Sequence, residues 1–228
     1  MRRTALVAGA ARGVGALAAR RLAAAAWDVV AVDTDEVGLA ATALRSPNTH
    51  VRTCDVTDPE DVADILGVTG AVHRLVIAPP PAYAPPPAYA PPPAYAPPGA
   101  LEAPLDEVMR RAFLGPAALV SAALPGMLER GAGEVIVIVP SGASPATAAA
   151  AAAGRAYVEA LAAEHRGRGV AFRCVSPPAG VPDRLVLDEI DRSLARPGDV
   201  HVAPGGRPGP LRLAPRRPRP PRASAPPR

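Results

Sequence analysis

Three glycines, Gly9, Gly13 and Gly15, stand between a short apolar run, Ala5 to Ala8, and a helical pattern carried by Val14, Leu17, Ala18 and Leu22. A strand that passes through such a turn straight into a helix leaves few folds open. Glycine is required where the backbone turns sharply and where it must approach a ligand closely. The first turn of the helix then offers unpaired amide hydrogens and the positive end of its dipole, a setting suited to phosphate groups. The next apolar run, Asp28 to Asp33, ends in a carboxylate eighteen residues after Gly15. An acid there can accept hydrogen bonds from both ribose hydroxyls of an adenosine and repels a 2′-phosphate. The plain alternatives are a tight turn and a solvated strand end. Arg12 could pair with a 2′-phosphate, which would favour NADP, or simply face solvent.

The alternation continues. Residues 36–45 read as a helix, His50 to Val56 as a strand, Asp58 to Leu66 as a helix capped at Asp58 or Thr57, and Val72 to Ala78 as a strand. After an interruption come a long helical pattern, Leu105 to Leu128, strained by Pro116 and Pro125, and a buried strand, Glu134 to Val139. An Ala-rich helix over 143–165, a strand at Val170 to Val175, a short helix at Pro182 to Leu194 and a last strand at Val200 to Val202 follow. This rhythm predicts an α/β fold: a Rossmann-like, doubly wound parallel sheet with helices on both faces. With aromatic residues at 3% of the chain, its core must be built from Val, Leu, Ile and Ala.

The domain is expected to span residues 1–206, interrupted over 79–98 by a Pro/Ala/Tyr repeat. Residues 79–96 are three copies of PPPAYA. Proline at that density has no amide hydrogens for a ladder and favours polyproline II, reaching roughly 55 Å at about 3.1 Å per residue. It reads as a spacer, or as a ligand for a proline-recognising groove. Residues 207–228 form a Pro/Arg-rich tail without a pattern for folding. Residues 204–228 hold seven Arg and no acid, so the other 203 residues carry 18 Arg against 21 acids, a balance of −3. The net charge of +4 is thus a property of the tail. It could attract a polyanion, but without interleaved aromatic residues it predicts no specific nucleic-acid recognition.

Cys54 and Cys174 lie in apolar runs and read as buried free thiols, with no metal site implied. Neither a signal peptide nor a membrane span is read, which makes a cytoplasmic protein the expectation. All 25 basic residues are Arg, so no mechanism that needs a lysine amine can run here.

The spacing Gly-x-x-x-Gly-x-Gly resembles that of the short-chain dehydrogenase/reductase family. Later segments fit the same family in order. Cys54-Asp55-Val56 resembles its Asp-Val pair, where the acid contacts adenine. Leu124-Pro125-Gly126-Met127 and Gly131 to Ile136 resemble the approach to its fifth strand. Leu161 to Glu164, Gly169-Val170, Ser176-Pro177 and Val202 to Gly206 resemble its later landmarks. The resemblance implies NAD, less readily NADP, held by Gly9, Arg12, Gly13, Val14, Gly15, Asp33, Asp55 and Val56. It also implies hydride transfer with a carbonyl or alcohol, and self-association through the helices at 105–128 and 143–165.

That chemistry uses a Tyr, a Lys four residues on, a Ser and an Asn. The chain has no Lys, and Ala112 stands where the Asn should be. The Ser position falls on Pro140, with Ser141 beside it as a stand-in or as a helix N-cap. Counting from Pro140 places the Tyr and Lys at Ala153 and Tyr157; counting back from Glu164 places them at Thr147 and Ala151. Tyr157, with Arg155 two residues before it, is the one aromatic candidate on that helix. The expected functions are therefore an NAD(P)-dependent oxidoreductase with impaired or altered chemistry, a catalytically inactive nucleotide-binding or oligomerisation module, or a polyanion binder acting through the tail.

Overall fold

The computed structural model describes residues 2–44, 46–78, 104–141, 144–196 and 198–204. The PPPAYA repeat and the arginine-rich tail lie outside them. Seven strands form one parallel sheet in the order β3-β2-β1-β4-β5-β6-β7. They are β1 (Thr4–Ala8), β2 (Asp28–Asp33), β3 (Thr49–Thr53), β4 (Arg74–Ile77), β5 (Gly133–Ile138), β6 (Val170–Val175) and β7 (His201–Val202). Parallel neighbours need crossovers, and helices supply them: α1 (Gly13–Ala24), α2 (Glu36–Ala43), α3 (Pro59–Thr69), α4 (Leu105–Met109), α5 (Gly115–Arg130), α6 (Pro145–Glu164) and α7 (Asp183–Leu194).

The central strands are largely apolar on both sides because both faces are covered, whereas the edge strand β3 (Thr49–Thr53) is mostly exposed. Leu6, Ala8, Leu75, Val135 and Val137 pack beneath α3, α5 and α6, meeting Ile65, Leu119, Met127 and Val158. The alternate residues Ala5, Val7, Val29, Ile136 and Ile138 pack beneath α1, α2 and α7, meeting Leu22, Leu39 and Ile190. The core is built mainly of Val, Leu, Ile and Ala, with Trp27, Met127 and Phe172 buried among them. Among the described residues one helical stretch, Leu105–Arg130, is long and apolar enough to cross a membrane. Leu119, Val120, Leu124 and Met127 are buried on the sheet instead, so it serves as a core helix.

Local chemistry sets the helix starts. The Asp35 carboxylate accepts the Gly38 amide, Asp58 accepts the Glu60 amide with Pro59 in the first turn, and Ser144 accepts the Thr147 amide with Pro145 following. Two details depart from the sequence reading. The third strand ends at Thr53 rather than Val56, because the Asp55 carboxylate turns back to accept from the Thr57 amide and hydroxyl. The long helix is not uniform: Arg110–Leu114 form a π-helical turn between α4 and α5. Pro116 explains the widening, since it cannot donate to the Ala112 carbonyl four residues back.

Cys54 and Cys174 are free and buried, as expected. Burial pushes both thiols up to about 11 from an ordinary 9.0; nearby carboxylates add to this at Cys54. Folding therefore favours the protonated thiols. Their contribution is intact below pH 9 and is lost as pH rises toward 11, at up to about 1.4 kcal/mol per pH unit for each thiol. Urea melts across that window are expected to show a falling midpoint, and the Cys54→Ser/Cys174→Ser double variant a flatter profile.

Candidate functional site

The glycine turn is held by its neighbours. The amides of Gly9 and Ala10 both donate to the Val32 carbonyl at 3.0 and 3.1 Å, which pins the turn to the end of β2. Gly9 has φ +76° and Gly13 φ +56°, left-handed conformations that disfavour other residues. A Cβ on Gly9 would stand 2.5 Å from the Ala78 carbonyl oxygen, and one on Gly15 would collide with the Gly9 carbonyl. The glycines thus let β1, the tip of β4 and the start of α1 converge. Arg12 takes the N-cap position of α1, but its side chain makes no capping bond. The first-turn amides of α1 therefore have no side-chain acceptor and remain available to an anion.

Asp33 closes β2 beside the glycine turn. One carboxylate oxygen accepts the Ala11 amide at 3.1 Å, tying the acid to the glycine turn; the other accepts the Asp35 amide at 3.1 Å. Each oxygen retains a further lone pair for a ligand hydroxyl. The exposed Arg12 guanidinium is ion-paired with Asp35. The Gly38 amide, and then Arg12, hold the Asp35 carboxyl below the usual carboxylate range. Asp55 and Val56 follow β3 on the same edge of the sheet, where the Cys54 amide donates to the Asp33 carbonyl at 3.1 Å.

Two adjoining clefts open at the carboxyl ends of the strands, where open α/β sheets place their ligands. The first, of about 220 Å³, runs from Gly9, Gly13 and Val14 past Val139 and Ser141 to Pro177. The second, of about 470 Å³, shares Ser141 and Pro177 with the first and extends to Ala151, Arg155 and Ser176. Ser141 is exposed at their junction. It is not the helix cap, since Ser144 fills that role.

The two counts along α6 fall on different faces of the helix. The residues it turns toward the clefts are Thr147, Ala148, Ala151 and Arg155. Ala153 and Tyr157 line neither. The Tyr157 hydroxyl bonds instead to the Ser121 hydroxyl at 2.8 Å and the Ala117 carbonyl at 3.2 Å on α5, with Phe113 edge-on to its ring. Tyr157, offered by the sequence as a proton donor, is directed toward α5 and not toward the clefts. The positions four apart on the cleft face carry Thr147 with Ala151, or Ala151 with Arg155.

One cleft residue had no signal in the sequence. Asp183, the first residue of α7, lines the first cleft with Gly9 and Gly13. Its Oδ2 lies 3.7 Å from where a Cβ on Gly13 would stand. A carboxylate there faces the ground an anion at the start of α1 would occupy. Only the fold, which brings the chain back after β6, places it beside a turn far away in sequence.

The family model for short chain dehydrogenases matches residues 3–76, the segment from β1 to β4 that contains the glycine turn and Asp33. A search of curated proteins finds no match. Among solved structures, a short-chain dehydrogenase from Streptomyces avermitilis is 22% identical, with a TM-score of 0.71 over 90% of this chain and 89% of that one. The actinorhodin polyketide ketoreductase with NADPH is 25% identical, with a TM-score of 0.64 over 77% of this chain and 70% of that one. A metagenomic short-chain oxidoreductase in complex with NADP is 21% identical, with a TM-score of 0.70 over 89% of this chain and 97% of that one.

Proposed function

We propose that the chain is a member of the short-chain dehydrogenase/reductase family, whose model matches residues 3–76, that it binds NAD in preference to NADP, and that it acts as an oxidoreductase on a carbonyl/alcohol pair. The observation that carries this reading is the Asp33 carboxylate fastened to the Ala11 amide of the glycine turn. It places a fixed negative charge where an adenosine ribose would lie. The two relatives described with NADPH or NADP bind the phosphorylated cofactor; here the case for NAD rests on Asp33, and on Arg12 being neutralised by Asp35.

The nicotinamide, when bound, supplies or accepts a hydride. The protein's own residues do the rest. Gly9, Gly13 and the start of α1 receive the diphosphate, Asp33 the ribose, and Asp55 and Val56 the adenine side of the same sheet edge. Ser141, at the junction of the clefts, donates to the substrate oxygen. Among the described residues no phenol lines the clefts, and the exposed Ser141 leaves the substrate oxygen open to proton exchange with water. Self-association through α4–α6, where Leu105 and Leu114 are 58% and 54% exposed, and a cytoplasmic location belong to the same reading.

NADH titration followed by fluorescence tests binding, and a panel of alcohols and carbonyls tests turnover. Saturable binding with slow turnover is expected; no binding overturns the proposal. A second reading, an inactive dinucleotide-binding module, is favoured by Ala151 and Arg155 standing on the cleft face where a Tyr-x-x-x-Lys pair is wanted. Binding without turnover of any substrate supports it.

Asp183 adds a consequence of sign. Its carboxylate opposes the diphosphate, and removing one unit charge near 4 Å in a water-like medium is worth about 1 kcal/mol. Asp183→Asn is therefore expected to bind NADH about fivefold more tightly at low salt, with the gain shrinking as salt rises. Unchanged affinity in the same titration would place the diphosphate elsewhere.

A further inference from the structure

Arg155 is a half-buried cation facing the second cleft. Among the described residues most arginines have an acid, a backbone carbonyl or an aromatic face as partner. Arg155, Arg166, Arg168 and Arg184 have none, and the last three are exposed. The acid one helical turn beyond Arg155 is Glu159, and it is engaged with His201. Among the described walls of the cleft no acid occurs, and Arg155 is the only charged group there. Its positive charge reaches the Cys174 thiol beneath, which it pulls down against the upward push of burial. A guanidinium partly removed from water without a counter-charge is poised to take one from a ligand.

The rest of the cleft fits a small guest. Ser141 and Ser176 bring hydroxyls, while Ala148, Ala151 and Ala179 leave room. Its volume of about 470 Å³ is in the range of small-molecule sites. Val139 to Ser141 and Pro177-Pro178 are common to both clefts, so a guest at Arg155 touches whatever fills the first cleft at its Ser141 end.

We propose that the substrates of this site carry a carboxylate, which Arg155 binds across the second cleft from the dinucleotide, so that the reacting pair is a short oxo acid and its hydroxy acid. This inference rests on the oxidoreductase reading above. One guanidinium with neighbouring hydroxyls matches a single negative charge. A phosphate dianion would leave one charge unpaired.

The test uses the full-length protein saturated with NADH. Calorimetry compares acetoacetate with its neutral methyl ester, in the wild type and in Arg155→Met, which keeps the apolar stem. The wild type is expected to bind the acid 10- to 100-fold more tightly than the ester, the scale of a charge-assisted hydrogen bond. Arg155→Met should bind both alike, and Arg155→Lys should recover part of the discrimination. Equal binding of acid and ester by the wild type overturns the proposal, and so does discrimination that survives in Arg155→Met. Tighter binding of inorganic phosphate than of acetoacetate overturns the choice of carboxylate. The wild-type comparison needs no variant to fold. NADH titrations run beside it separate the two readings: absent NADH binding removes the oxidoreductase reading, whereas intact NADH binding without acid discrimination removes this one alone.

Discussion

Asp33→Ala is expected to lose between about 10- and 100-fold in affinity for NADH, the equivalent of one or two hydrogen bonds to a charged acceptor. The loss has two parts. The carboxylate no longer receives the ribose hydroxyls, and the Ala11 and Asp35 amides lose the acceptor that fastens turn to strand. Asp33→Asn separates them. An asparagine oxygen can still accept one amide, but the repulsion of a 2′-phosphate is gone. NADPH should therefore gain on NADH in Asp33→Asn, in fluorescence titrations of both cofactors against both variants. Equal affinity of wild type and Asp33→Ala for NADH would remove Asp33 from the site and the proposed cofactor preference with it.

The largest effect on stability is expected at Gly15. Adding a methyl group there drives it into the Gly9 carbonyl and to 3.0 Å from the Ala78 side chain. Both obstacles belong to backbone or to a stub with no rotamer to escape through, so the turn itself must move. Gly15→Ala is expected to destabilise the fold by about 3 kcal/mol, the upper part of the overpacking range, and to abolish dinucleotide binding. Gly67 in α3 provides the matched control, because a Cβ there meets nothing within 4 Å. Gly67→Ala should be stabilising by about 0.5–1 kcal/mol through lost backbone freedom alone. Urea denaturation of both variants measures the contrast. If Gly15→Ala unfolds at the wild-type midpoint, the convergence of β1, β4 and α1 is looser than the structure shows.

Strands and helices were readable because their signals are local: apolar runs such as Asp28 to Asp33, caps such as Asp58 before Pro59, and a glycine turn that only one kind of junction needs. The glycine turn and the acid beside it were readable for the same reason, since Gly9, Gly13 and Gly15 lie close together in sequence and Asp33 ends the adjacent strand. The breaks at Thr53 and Arg110–Leu114 were not read from pattern. They turn on where one carboxylate folds back and how a helix absorbs one missing amide hydrogen.

The substrate side was different. In the Ala-rich helix α6, counting along the chain gave two frames, because alanine carries no facing signal and a shift of a few residues turns every side chain to a new side. Only packing chose between them, turning Ala151 and Arg155 to the cleft and Tyr157 toward Ser121. Asp183 and Ser176 joined the site through the crossover that carries the chain from β6 to α7. Local patterning determined this protein's architecture and its glycine turn beside Asp33, because propensities, caps and turns act within a few residues. Which side chains face the clefts was decided by tertiary structure, because that depends on helix rotation and on chain segments that meet only when the sheet is complete.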